Sequence, residues 1–282
     1  MEWIKPQYSK GAIRKAGKVL ASDHPDDKKS IESFDALSNW RSAHAYPMQA
    51  ILILLRKTAE KILGNEAEKI NKNVLVAQRL KRAPSIVQKL KRECGMQLDR
   101  MEDIGGCRAI VSTLSQVKQL SSALRLSKTV YILHRERNYI EEPKPSGYRG
   151  IHLIYKYDGT KTEYKNIPIE IQIRSKIQHA WATAVEVAGV FTKSALKASQ
   201  GSDEWLKYFQ YASAELARLE GCSPDPCFNS IDIRSELELL STTLNVYHQF
   251  AAFTITTERI TKETKTKNKN SFYLLTLDVQ AS

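Results

Sequence analysis

The sequence predicts an α+β fold: a mixed sheet of about five strands flanked by helices. Three observations carry that expectation. Short β-branched and aromatic runs, several alternating with period two, cluster between residues 107 and 175. Stretches with apolar residues at helical spacing lie on both sides of that cluster and within it. The composition, 42% hydrophobic and 26% charged over 282 residues, is that of an ordinary globular chain with room for a sizeable core.

Taken in order, residues 1 to about 40 read as polar and basic, with Lys5, Lys10, Arg14, Lys15 and Lys18 scattered through them. SDHPDDKKS (Ser22 to Ser30) reads as a loop. From Tyr46 a long helix is expected, because Ile51, Leu54, Leu55, Ala59, Ile62 and Leu63 recur at helical spacing and Gly64-Asn65 stops it. Pro84-Ser85 opens the helix SIVQKLKREC, which ends near Gly95. CRAIVST (Cys107 to Thr113) is an expected strand, followed by the helix SQVKQLSSALRL. TVYILHRE, GIHLIYKYDG and IPIEIQIRS are expected strands, and IQHAWATAVEVAG an expected helix. Two further helices, EWLKYFQYASAELARLE and IRSELELLSTTLNVYHQFAAF, flank the turn-rich CSPDPCFNS. The Lys-rich linker TKETKTKNKN then leads to a strand pattern, SFYLLTLDV. One strand is not stable alone, so it either pairs with the main body or opens a further domain.

The formal charge of +12 points to polyanionic partners such as nucleic acid or nucleotide phosphates. MEWIKPQYSK lacks the apolar stretch of a secretory signal, and the longest apolar run, Ala50 to Leu55, is too short to span a bilayer. Four cysteines do not make a disulfide framework at this length. A cytoplasmic protein with reduced thiols and no membrane partner is expected. Cys222 and Cys227 read as two thiols on a turn, and Cys94 and Cys107 as small packed residues. His44, His134, His179 and His248 read as ordinary structural or surface residues.

Alternation in IPIEIQIRS puts Ile167, Ile169, Ile171 and Ile173 on one face and Glu170, Gln172 and Arg174 on the other. A structural strand with its polar face in water has the same pattern. A second acid, Asp103, precedes another strand, with Gly105-Gly106 expected to keep bulk away from it. Two such acids suit a Mg²⁺ ion bound through one or two carboxylates plus substrate phosphates. The stretch Arg79, Lys81, Arg82, Lys89, Lys91, Arg92 is either a solvated basic face or the cations that surround a triphosphate. Ser85 and Lys89 lie four apart on one helix face. In KPSGYRGIH, Gly147 bends the backbone, Tyr148 offers an aromatic face for a base, and Lys144 and Arg149 add cations. No Walker glycine loop, dinucleotide fingerprint or nucleophile elbow is present.

RLKRAPSIVQKLKR, EDIGGCRAIV, KPSGYRGIH and IEIQIRSKIQHAWA, in this order, resemble the synthetase domain of the RelA/SpoT alarmone synthetases over roughly residues 40 to 190. The resemblance implies a nucleotidyltransferase-like sheet flanked by helices. It implies transfer of pyrophosphate from ATP, with Mg²⁺, to a ribose 3′-hydroxyl, releasing AMP. Carried over residue by residue, Arg79 packs on adenine, and Lys81, Ser85, Lys89 and Arg108 belong to ATP binding. Asp103 and Glu170 are the metal-binding and catalytic acids. Lys144, Tyr148 and His152, with Gln172 and Arg174, face the acceptor. No His is followed by Asp, so the hydrolase mark of long members is missing.

The chain's start, SNWRSAHAYP (Ser38 to Pro47) and the Lys-rich linker resemble fused toxin–antitoxin members of the CapRel type. That implies residues 1–258 as the synthetase domain with its helical parts, and 259–282 as a linker and the first strand of a neutralising antitoxin domain triggered by a phage protein. The acceptor implied is the 3′-CCA end of tRNA; GDP or GTP, or an adenine nucleotide, is the alternative, and a catalytically silent RNA- or nucleotide-binding module, which would keep the basic patch and Tyr148 without needing Asp103 or Glu170, is the reading from a different class.

Overall fold

The computed structural model describes residues 3–22, 27–63, 74–127, 131–194, 196, 199–222, 228 and 231–254. They fall into two compact units, one within Met1–Arg137 and Ile151–Ile173, the other within Asn138–Gly150 and Arg174–Ser282.

The first unit is built on a five-stranded mixed sheet. Its strands are β1 (Leu75–Leu80), β2 (Gly105–Val111), β3 (Ile132–Asn138), β4 (Ile151–Lys156) and β5 (Pro168–Ser175), in the order β1-β2-β5-β4-β3. The last residue of β3 and the last two of β5 belong to the second unit. The expected α+β class holds. β1 pairs antiparallel with β2, placing Arg79 opposite Gly106, and β4 pairs antiparallel with β5, placing His152 opposite Gln172. The helices of this unit are α1 (Lys10–Ala21), α2 (Asp27–Ala43), α3 (Ala45–Leu63), α4 (Ala83–Arg92) and α5 (Leu114–Leu126).

Three of these elements depart from expectation. The N-terminal region, read as merely polar and basic, forms α1 and α2. Ser9 caps α1 by accepting from the Ala12 N–H, and Ile13, Ala16, Gly17 and Leu20 form its buried stripe. Gly17 lets the helix lie against the turn at Leu98, since a Cβ there would sit 2.7 Å from Leu98 Cβ. The loop expected over Ser22 to Ser30 has become helical by Asp27. β1 was not foreseen. It is an edge strand without alternating burial. Cys94, expected to be packed, is exposed, whereas Cys107 is buried and its thiol is pushed up to about 12 by desolvation.

The second unit carries the 138–150 segment with α6 (Lys176–Phe191), α7 (Asp203–Leu219), α8 (Ile233–Thr243) and α9 (246–254). Ser175 and Gln178 form a capping box that starts α6. The single helix expected after Asp232 is broken at Leu244-Asn245, where Asn245 has φ 49°. The core is aromatic, with Tyr148, Trp181, Trp205 and Phe209 buried together with Val185, Ala188 and Leu196. Cys227 and the SFYLLTLDV pattern lie outside the described residues. No helix among the described residues is long and apolar enough to cross a membrane.

Candidate active site

In the first unit, Asp103 sits in the turn just before β2. Lys81, following β1, donates from Nζ to Oδ2 at 3.0 Å, and Lys89 on α4 reaches both carboxylate oxygens at 3.0 Å. Pro84 in the first turn of α4 fixes where that helix starts and so where Lys89 points. Burial pushes the Asp103 carboxyl up, but the charges of Lys81 and Lys89 and the Lys81 hydrogen bond outweigh it and hold the group below its usual range. Arg41 of α2, a residue the sequence reading did not single out, donates from Nε to the Lys81 carbonyl at 2.7 Å and fixes that backbone. Ser85 is half-buried on α4 and Arg79 is exposed on β1.

The glycine pair has a different task from the one expected. A Cβ on Gly105 would lie 2.8 Å from Ile169 Cδ1 and 3.2 Å from His44 Cβ. Gly105 therefore makes room for Ile169 of β5 and for His44, in the turn between α2 and α3, rather than for a ligand at Asp103. Gly106 has only ordinary space around it, the Glu170 carbonyl being 3.7 Å from its built Cβ.

Glu170 projects from β5 on the face opposite Ile169, Ile171 and Ile173. That polar face is not in water: Glu170 is 6% exposed. A purely structural strand with a solvated polar face is thereby excluded. His152 Nδ1 lies 2.7 Å from Glu170 Oε1, and Gln172 Nε2 donates to Oε2 at 2.7 Å. Register explains the first contact, since His152 stands opposite Gln172 and Glu170 is its diagonal neighbour. Arg108 on β2 completes the row, donating from Nε and Nη2 to Gln172 Oε1 at 3.2 and 3.1 Å. Desolvation pushes the Glu170 carboxyl up. The charge and hydrogen bond of His152, the Gln172 hydrogen bond and the charge of Lys89 overcome this and bring it down to about 2. The charge of Glu170 is felt at Asp103, where it acts upward.

The structure thus brings Lys81, Lys89, Asp103, Glu170, Gln172, Arg108 and His152 into two linked clusters. His152, Gln172 and Arg108, read as acceptor and ATP residues, touch the Glu170 carboxylate or its neighbour. Two ionised carboxylates in electrostatic reach of each other are hard oxygen donors and fit a Mg²⁺ ion that keeps other positions for water and phosphate. No group of three or more His, Cys, Asp or Glu side chains arranged for a metal occurs among the described residues.

Lys144, Tyr148 and Arg174 belong to the second unit. Tyr148, expected to present an open ring, is 7% exposed. One partner, Tyr139, is close by in the chain, and the others come from farther along it. Tyr139 and Trp181 pack at ring-centre distances of 5.7 and 6.4 Å. Arg174, 2% exposed, donates from Nε to the Tyr148 hydroxyl at 3.0 Å and lies 4.8 Å from its ring centre. The exposed Lys144 amine stands 4.6 Å from the Tyr139 ring centre and 5.2 Å from that of Tyr148. Arg149, read as a phosphate cation, is buried and donates from Nη1 to the Ile140 carbonyl at 3.0 Å.

A family model described as the region found in RelA / SpoT proteins matches residues 78–193. The GTP pyrophosphokinase YwaC of Bacillus subtilis is 28% identical over 176 residues, 58% of this chain and 79% of its own. The GTP pyrophosphokinase YjbM of the same organism is 32% identical over 111 residues, 38% of this chain and 52% of its own. A GTP pyrophosphokinase family protein from Streptococcus pneumoniae shares the fold, with a TM-score of 0.51 at 23% identity over 70% of this chain and 93% of that one. The residues that build the two acid clusters all lie within the matched span, and over residues 78–193 the chain carries a RelA/SpoT region and is similar to GTP pyrophosphokinases.

Proposed function

We propose that the chain transfers the β,γ-pyrophosphate of ATP to the ribose 3′-hydroxyl of GDP or GTP, releasing AMP. The observation that carries this is the pair of carboxylates, Asp103 and Glu170, both held ionised and each within the other's field, with two lysines on the first. The names of the relatives support a guanine nucleotide as acceptor.

Asp103 and Glu170 would hold Mg²⁺, which when bound neutralises phosphate charge and favours the departure of AMP. Lys81 and Lys89 turn their amines to the phosphates, and the exposed Arg79 covers the adenine. Ser85 and Arg108 complete the ATP side. Glu170 orients the attacking hydroxyl by accepting its hydrogen bond. A carboxylate held at about 2 is a poor resting place for a proton, so orientation and charge are its main contributions. His152 and Gln172 keep that carboxylate fixed. On the acceptor side, the exposed Lys144 amine meets a phosphate, while Tyr148 stays interior with Arg174 on its hydroxyl.

A second reading is favoured by one observation, the formal charge of +12: the acceptor is the 3′ end of tRNA, as in a translation-blocking toxin with a C-terminal neutralising segment and a phage-protein trigger. Incubation with ATP labelled on its γ-phosphate, Mg²⁺ and either GDP, GTP or deacylated tRNA separates the two. Label in a guanine nucleotide is the expected result. Label in tRNA alone replaces the first reading with the second, and no transfer to any acceptor removes both.

A further inference from the structure

The loop that carries Lys144 and Tyr148 is strapped to a helix that begins after the family match ends at residue 193. Gln210 of α7 donates from Nε2 to the Pro145 carbonyl at 2.7 Å. Ser213, one turn on and 4% exposed, donates from Oγ to the Gly147 carbonyl and accepts from Arg149 Nε at 3.3 Å. The turn itself closes through the Gly147 N–H on the Lys144 carbonyl at 2.7 Å. Gly147 has φ 88°, and a Cβ there would lie 3.0 Å from Ser213 Cβ, 3.2 Å from Gln210 Cα and 3.2 Å from the Phe209 carbonyl oxygen. The loop backbone thus rests directly on the helix, in a conformation that favours glycine, and one serine hydroxyl serves two loop residues.

We infer that Gln210 and Ser213 are positioning residues for the acceptor nucleotide. They hold the 144–150 loop in the shape that presents Lys144 at the mouth of the Tyr139–Tyr148 pair. A helix outside the matched region is then part of the acceptor's recognition, not only of the core. This rests on reading the 144–150 loop as the acceptor's.

The test uses the full chain with ATP, Mg²⁺ and whichever acceptor, GDP or deacylated tRNA, takes label. The double variant Q210E/S213A keeps volume at 210 but removes both donors to the loop. Its acceptor KM should rise at least about tenfold, as expected for the loss of three modest hydrogen bonds. Its ATP KM, and kcat at saturating acceptor, should stay near wild type. Hydrogen–deuterium exchange should speed up over residues 144–150 while α6 keeps its protection; this second readout does not depend on turnover. Lys144→Ala is run beside it. If Lys144→Ala raises acceptor KM and Q210E/S213A does not, the inference fails while the acceptor loop stands. If Lys144→Ala leaves acceptor KM unchanged, both fall. Equal losses for ATP and acceptor, with exchange rising throughout the second unit, would assign the two residues to folding alone and overturn the proposal.

Discussion

Glu170→Gln keeps the side chain's size and removes its charge. In the folded chain the Glu170 carboxyl lies at about 2, against an ordinary 4.5, although burial opposes ionisation. The difference corresponds to about 3 kcal/mol of stability at neutral pH, supplied by His152, Gln172 and Lys89. Because the folded value is the lower one, the unfolded chain takes up the proton first as pH falls. The contribution is complete above the unfolded value and disappears as pH drops through the folded one. Urea unfolding followed by circular dichroism, in chelator, between about pH 7 and about pH 2, reads it out. Wild type should lose about 3 kcal/mol more than E170Q across that window. The same variant should lose turnover by about 10²–10³-fold while ATP affinity changes little. Parallel pH curves for the two proteins would refute the claim that these three neighbours hold the acid ionised. Retained turnover would refute its role in the reaction.

A second acid-sensitive group acts at higher pH. His44 is fully buried and held at about 4 by desolvation, against only a hydrogen bond to the Trp40 carbonyl, so stability should fall by roughly 3 kcal/mol between neutral pH and about pH 4 and His44→Leu should flatten that slope. Tyr148→Ala should cost about 3–5 kcal/mol in thermal or urea unfolding, because the ring is interior; an exposed tyrosine would cost within about 0.5. Lys89→Met removes the amine that meets both Asp103 oxygens, and ATP KM should rise at least about tenfold in steady-state kinetics.

Much of this was legible in the sequence because the signals are local. Alternation in IPIEIQIRS placed Glu170 and Gln172 on one face, and Pro84 placed Lys89 on a helix beginning beside Lys81. What escaped depends on distant partners. Nothing around Tyr148 says that Trp181 and Arg174 will cover it, since a tyrosine in a Pro-Ser-Gly bend has the same local pattern whether open or sealed. β1 escaped because an edge strand carrying Arg79 needs no alternation. α1 escaped although its stripe was present, because Ala16 and Gly17 are small residues that pack closely without reading as hydrophobic. Pairing of His152 with Glu170 follows from the antiparallel register, which only the sheet reveals.

The resting charges of the site constrain the order in which its residues can work. Lys81 and Lys89 both hydrogen-bond to Asp103, so neither amine is turned to a phosphate until the aspartate's charge is met in another way. Two lysines and two acids nearly cancel, and a triphosphate carries far more negative charge than such a cluster attracts. ATP should therefore bind weakly in chelator. Asp103→Asn takes away the group that holds the lysines. It should bind ATP in chelator at least about tenfold more tightly than wild type, the value expected when even one charge-assisted hydrogen bond is released to the phosphates. It should also lose turnover, since the acid that would hold Mg²⁺ is gone. Binding measured by calorimetry without divalent ion decides it. If D103N binds ATP no better than wild type, the lysines serve Asp103 as a fixed structural unit and are not the donors that receive the phosphates.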